Sequence, residues 1–169
     1  YHASTWVADR SIAAIDRDQK DGKPFFLWSS FQDPHNPYVT PEPWASMYDP
    51  SSMSEPIETP QLDSLPDFYR SLACGDFYGD DPQLQNKAWG DVKIRPELGP
   101  SDVLSLRAVY FGMVSLMDHH IGRILDRLEA DGPIEETLIV FTSAHGDYLG
   151  DPGLWGKGLP AYESAQRVP

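Results

Sequence analysis

The sequence predicts an α/β fold built on a mostly parallel sheet. Three observations carry this. Residues 25–31 (Phe-Phe-Leu-Trp-Ser-Ser-Phe) and 138–141 (Leu-Ile-Val-Phe) are apolar runs of strand length. Near-continuous runs of this kind suit strands buried on both faces. Each run follows a longer segment with apolar residues at helical spacing, so helix and strand alternate as they do in parallel-sheet proteins.

The elements follow in order. Ser4 or Thr5 suits the N-cap of a first helix running to about Gln19, with Trp6, Val7, Ala14 and Ile15 as its buried stripe. Asp21-Gly22-Lys23-Pro24 is a turn signal before the first strand, and a proline-rich loop, residues 32–43, follows that strand. Residues 44–99 hold many turn-formers and no sustained period, which predicts an irregular segment with short helices near 44–48 and 66–72. Ser101 or Asp102 suits the cap of the longest helix, which reaches about Ala130. Along it Val109, Met113, Leu116, Met117, Ile121, Ile124, Leu125 and Leu128 recur at three- and four-residue spacing. Asp131-Gly132-Pro133 stops it, and the second strand then leads into a polar, glycine-rich segment.

Composition narrows the function. A length of 169 residues suits one domain, and 40% hydrophobic content supports a packed core rather than disorder. The net charge of −13 argues against nucleic acid and anionic membrane surfaces as partners, since both select basic proteins. It also means that an anionic substrate would need local cations for its capture. The single cysteine, Cys74, excludes an internal disulfide framework. No stretch has the apolar length of a membrane span.

The segment after the second strand reads Ser143-Ala144-His145-Gly146-Asp147-Tyr148-Leu149-Gly150-Asp151-Pro152-Gly153-Leu154-Trp155-Gly156-Lys157-Gly158. Ligands of open α/β sheets bind beyond the carboxyl ends of strands, so His145, Asp147 and Lys157 are candidates by position. The segment resembles the S-D-H-G-D-x-L-G-x-H-G-L-W-x-K-G signature of the sulfatases, in the alkaline phosphatase-like superfamily. Pro24 to Tyr38 resembles the strand and P-H-x-P loop of that family, with Pro34-His35-Asn36-Pro37 as the loop. Asp118 and Ile121-Gly122-Arg123 match its D-x-x-I-G-R. Three blocks in family order are far more specific than one motif.

The resemblance implies an α/β/α sandwich of the alkaline phosphatase-like type, with residues 1–169 as an internal part of a catalytic domain. Residues 44–99 would wall the substrate pocket. A formylglycine nucleophile, made from cysteine or serine in C/S-x-P-S-R, would lie upstream of Tyr1, as would a first pair of metal-binding aspartates. A further strand would follow Pro169. Many relatives are exported, so a periplasmic or extracellular location is the corresponding expectation. Cys74 stands in Ala73-Cys74-Gly75-Asp76, which is not the nucleophile motif.

Three residues are expected to carry the site. His35, in a loop stiffened by proline, suits either a hydrogen bond to a sulfate or leaving-group oxygen or a purely structural bond. Lys157, between two glycines, suits either capture of one sulfate oxygen or a solvated surface position. The resemblance assigns catalytic and sulfate-binding roles to both. It makes His145 a ligand of a divalent metal, usually calcium, which prefers carboxylate oxygens. The family aspartate immediately before that histidine is Ala144 here, which removes a ligand and a charge together, and a family histidine is replaced by Pro152. Asp147 is not expected to restore the metal site, since that would need a rearranged loop. Adjacent His119 and His120 point roughly 100° apart on a helix and are expected to be helix-face residues rather than a shared metal site. Asp118 is expected to make a structural hydrogen bond.

The implied activity is hydrolysis of a sulfate monoester on a small molecule or glycan, with the 169 residues inactive by themselves. Two alternatives stand beside it. One is phosphate or phosphonate ester hydrolysis within the same superfamily. The other is a non-catalytic homologue that binds sulfated glycans, motivated by Ala144 and Pro152.

Overall fold

A computed structural model describes residues 2–20, 22, 24–57, 64, 66–67, 93–94, 98–130, 132, 134–151, 153–158 and 162–169. The expected helix near 66–72, Cys74, Pro152 and most of the 44–99 segment lie largely or wholly outside these residues. Two compact units divide the chain.

The first unit comprises Tyr1–Asp49 and Ala108–Val140. Its opening helix, α1, is Ala3–Lys20. The cap is neither Ser4 nor Thr5. His2 precedes the helix, its carbonyl accepts the Trp6 amide at 3.1 Å, and its Nδ1 accepts the Ser4 amide at 3.3 Å. Ser4 is already inside the first turn, where its hydroxyl donates to Asp33. The buried stripe is also rotated from the expected one. Ser4, Ala8, Ser11 and Ile15 are buried, whereas Trp6 is 56% exposed. Small side chains occupy this face because backbone and hydroxyl contacts are made there. Ser11 donates to the Val7 carbonyl, so the proton in its 2.8 Å contact with Ser29 comes from Ser29.

The long helix, α2, spans Pro100–Glu129, and its residues from Ala108 onward belong to the first unit. Ala8, Ile15 and Ile124 form a core cluster, against which Ile12, Leu27, Phe31 and Leu128 pack. Polar pairs flank it: Thr5 with His120, Asp9 with Arg123 and Asp16 with Arg127. Their numbers rise together, so α1 and α2 run in the same direction. Met113, Leu116 and Ile124 of the expected stripe are buried, and Val109, Met117, Ile121, Leu125 and Leu128 are partly so.

Residues 25–31 keep the alternation of a strand. Leu27, Ser29 and Phe31 turn toward the helices, while Phe26 and Trp28 are 87% and 76% exposed. Residues 138–141 are exposed throughout, Leu138 at 90%. Neither run is paired in a ladder among the described residues, because a strand exists only where a neighbour accepts its hydrogen bonds. Next in the chain after the first run, residues 38–48 lie along α2. Tyr38 meets Tyr110 edge to face, Trp44 tilts against His119, and Tyr48 contacts Phe111 and hydrogen bonds Ser115. Short helical turns at Trp44–Ser46 and Pro50–Ser52 fall close to the first expected short helix.

The second unit comprises Pro50–Arg107 and Phe141–Pro169. It contains the start of α2, where Gly99 rather than Ser101 or Asp102 is the capping position. Asp102 and Val103 donate to the Gly99 carbonyl, and the Asp102 carboxylate reaches back to the Gly99 amide at 2.8 Å. Pro100 then occupies the first helical position, where no amide is needed. Two two-residue strands pair antiparallel: β1 (Lys93–Ile94) with β2 (Leu154–Trp155), Lys93 opposite Trp155. A short α3, Glu163–Gln166, supplies Ala165 to a cluster with Tyr148 and Leu154.

Candidate active site

The segment around Lys157 is closed by its own backbone. Tyr148 donates its amide to the Gly156 carbonyl at 2.9 Å, and Gly150 donates to Leu154 at 2.8 Å. The Asp147 Oδ1 accepts two amides, from Leu149 at 2.9 Å and from Gly156 at 3.2 Å, and so joins both limbs of the loop. Tyr148 is 1% exposed, and its hydroxyl donates to the Gly158 carbonyl at 2.6 Å. Burial, then the neighbouring Tyr162 and Asp147, raise the Tyr148 pKa above its ordinary 10.0, so the phenol stays a donor across the neutral range. Lys157 is therefore held on both sides, through Gly156 and Gly158, which adopt φ of 75° and 131°. Those angles suit glycine and would strain other residues.

Leu149, with φ of 49°, is a non-glycine residue in the left-handed region. Its amide is taken by Asp147 and its carbonyl by Arg107 Nε at 2.9 Å. Arg107 sits on the buried face of α2 and also donates to the Ser54 carbonyl at 2.7 Å and to Asp151 Oδ1 at 2.6 Å. Neither Arg107 nor Asp151 stood out in the sequence. The available signal was an arginine one turn after Val103 on an otherwise apolar helix face.

His145 is exposed in the same unit. Its Nδ1 lies 2.7 Å from the Gly146 carbonyl, which can only accept, so Nδ1 bears the proton and Nε2 carries the lone pair of the neutral ring. Ser143 donates to the His145 carbonyl and the Gly146 amide to Ala165, which fixes the turn. His35 belongs to the first unit. Its amide donates to Gln32 at 3.1 Å and its Nδ1 to the Asn36 carbonyl at 2.8 Å. Hence His35 can donate from Nε2 only as the imidazolium. Of the three expected site residues, His145 and Lys157 share a unit and His35 is in the other. His119 and His120 are helix-face residues: the first lies tilted against Trp44 and the second is buried against Thr5. Asp118 is exposed on α2.

The sulfatase family model matches residues 1–169. The chain belongs to the sulfatase family. It is 30% identical over 168 residues to an arylsulfatase of Clostridium perfringens, covering 99% of this chain and 31% of that protein. It is also 30% identical to a multifunctional alkaline phosphatase superfamily protein of Trinickia caryophylli, covering 91% of this chain and 29% of the relative. Among solved structures it is similar to the phosphonate monoester hydrolase SpPMH from Silicibacter pomeroyi, with a TM-score of 0.77 and 30% identity over 99% of this chain and 32% of that one. The sulfatase chain thus spans about a third of the length of these relatives.

The metal that the family implies meets an incomplete donor set here. His145 suits ligation, because a backbone carbonyl holds its Nδ1 proton and leaves Nε2 with the lone pair. The Ala144 side chain offers no oxygen, and Asp147 already commits one carboxylate oxygen to two amides. Among the described residues no three His, Cys, Asp or Glu side chains are grouped to hold a metal. The described residues do not fit calcium by themselves.

Proposed function

We propose that this sulfatase-family chain is part of an α/β/α-sandwich catalytic domain whose complete protein hydrolyses a sulfate monoester of a small molecule or glycan. The observation that carries the reading is the pinned Gly156-Lys157-Gly158 segment. A cation whose backbone is held on both sides has only side-chain freedom left to lose when it grips an anion, and it answers the problem posed by a net charge of −13. In this reading the Lys157 ammonium binds a sulfate oxygen and offsets charge that develops on the sulfuryl group. His35, as the imidazolium, donates from Nε2 to a sulfate or leaving-group oxygen. The nucleophile, expected as a formylglycine, and the carboxylates of any calcium site come from outside the described residues. His145 is the one ligand proposed within them. Export to the periplasm or beyond the cell belongs to the same reading.

Hydrolysis of 4-nitrophenyl sulfate by the complete protein tests it. Turnover that falls with both Lys157→Ala and His35→Ala supports sulfate ester hydrolysis. The isolated 169 residues are expected to show none.

A second reading, phosphonate monoester hydrolysis, is favoured by the likeness to a solved phosphonate monoester hydrolase. Faster turnover of a phenylphosphonate monoester than of any sulfate ester would select it. A third, the non-catalytic one, is favoured by the missing carboxylate at Ala144. Sulfate binding without turnover, and gain of calcium binding in Ala144→Asp, would select that instead.

A further inference from the structure

We propose that Arg107 and Asp151 are positioning residues for Lys157, acting through the backbone of the 147–158 loop. The inference rests on the reading of Lys157 as an anion-binding cation. Arg107 directs its planar donors to three different acceptors: the Leu149 carbonyl, the Ser54 carbonyl and Asp151 Oδ1. The same Asp151 oxygen accepts the Ile57 amide at 2.7 Å. One guanidinium therefore ties α2 to residues 54–57 and to the start of the lysine loop.

The connection to Lys157 runs through a short series of bonds. Arg107 holds the carbonyl of Leu149, and Asp147 holds its amide. The oxygen of Asp147 that takes this amide also takes the amide of Gly156, the residue before Lys157. Leu149 sits at φ 49°, a conformation that persists only where its surroundings impose it. Arg107 and Asp147 are the groups that grip both ends of that residue. Losing Arg107 frees the Leu149 carbonyl, and the left-handed turn can then relax. The Asp147 bridge between the two limbs relaxes with it.

Simple stabilisation is a weaker account of the arginine. The Arg107 side chain is 9% exposed, and removing a cation that deep from water offsets much of what its bonds contribute. What a three-way fork does provide is fixed geometry. Lysine, as a point charge, can satisfy only part of it.

The experiment measures the affinity of the complete protein for inorganic sulfate by calorimetry, and amide exchange in residues 147–157 by mass spectrometry. Variants are Arg107→Ala, Arg107→Lys and the milder Asp151→Asn, each with Lys157 present and in a Lys157→Ala background. Arg107→Ala is expected to speed exchange in the loop and to weaken sulfate binding on the order of tenfold, within the cost of a small misplacement. Arg107→Lys and Asp151→Asn lie between it and the parent. In the Lys157→Ala background the effect on affinity disappears, because the two residues act as one unit. Equal loss of affinity in both backgrounds would overturn the proposal, and so would unchanged exchange in Arg107→Ala or, should that variant not fold, in Asp151→Asn. If Lys157→Ala alone leaves sulfate affinity intact, the anion-binding role of Lys157 fails, and with it the proposal. Faster loop exchange in that case would identify Arg107 as a loop clamp only.

Discussion

His120 Nε2 lies 3.0 Å from Thr5 Oγ1, joining α2 to α1 across 115 residues of sequence. Arg123 Nη1, which can only donate, is 3.1 Å from Nδ1 of the same ring. The proton of the neutral imidazole is therefore on Nε2, and Thr5 accepts it. The same guanidinium donates to Asp9 at 2.7 Å. One buried ring thus depends on being neutral to fit its neighbours.

The pH dependence of stability follows. Burial lowers the His120 pKa from 6.5, helped by Arg123, His119 and His2 and opposed by Asp9. The unfolded chain binds this proton more readily than the folded one, so stability rises with pH between the two values. The contribution is complete above about 6.5 and is lost as pH falls through the lowered folded value. Urea midpoints at pH 7.5 and 5 should differ, and His120→Gln should reduce the difference. Thr5→Val should cost about 1–3 kcal/mol at pH 7.5 by leaving the ring donor unpaired.

Gly112→Ala should destabilise the protein despite the usual helical advantage of alanine, about 1 kcal/mol. A Cβ there would overlap the Trp44 carbonyl oxygen, which is backbone and cannot turn aside. The 38–48 segment would have to lift from α2, loosening the Trp44–His119 and Tyr48–Phe111 contacts. A net loss of about 1–3 kcal/mol is expected in denaturant unfolding. A more stable variant would show that the segment does not press on α2.

Asp147→Ala and Asp147→Asn should separate. Alanine abandons the Leu149 and Gly156 amides together, whereas the asparagine carbonyl can still accept both. A loss of about 1–3 kcal/mol is expected for the first and less for the second. Equal losses would mean that the charge of Asp147, rather than its acceptor geometry, holds the loop.

The isolated chain should self-associate. Phe26, Trp28, Leu138 and Val140 are each at least 76% exposed, and large apolar side chains left in water favour association. Light scattering should show mass rising with concentration, and Phe26→Ser with Val140→Thr should lower it. A monomer at all concentrations would contradict this.

The helices were legible in the sequence, because apolar spacing in 3–20 and 100–129 is a local property. Their caps were not. His2 caps α1 through a ring nitrogen, and Gly99 caps α2 with help from Asp102, while nearby serines offered equally plausible alternatives. The runs at 25–31 and 138–141 have strand composition, but pairing depends on partners that composition cannot supply. Strands of two residues, such as β1, are too short to show any period. In the site, the family signature pointed to Lys157 and His145 as candidates. The hold on the lysine loop was not, because Arg107 finds its partners at 54, 149 and 151, far away in sequence. Asp147 matched the separate aspartate of the signature, and nothing local showed that its oxygen serves two amides.

The central claim is that Lys157 captures the sulfate of a sulfate ester. The most direct measurement is the rate of 4-nitrophenyl sulfate hydrolysis by the complete protein, beside that of Lys157→Ala. The account predicts turnover in the parent and a fall of about a hundredfold or more in the variant, the scale of losing a group that stabilises developing charge. Equal rates in the two proteins would contradict it.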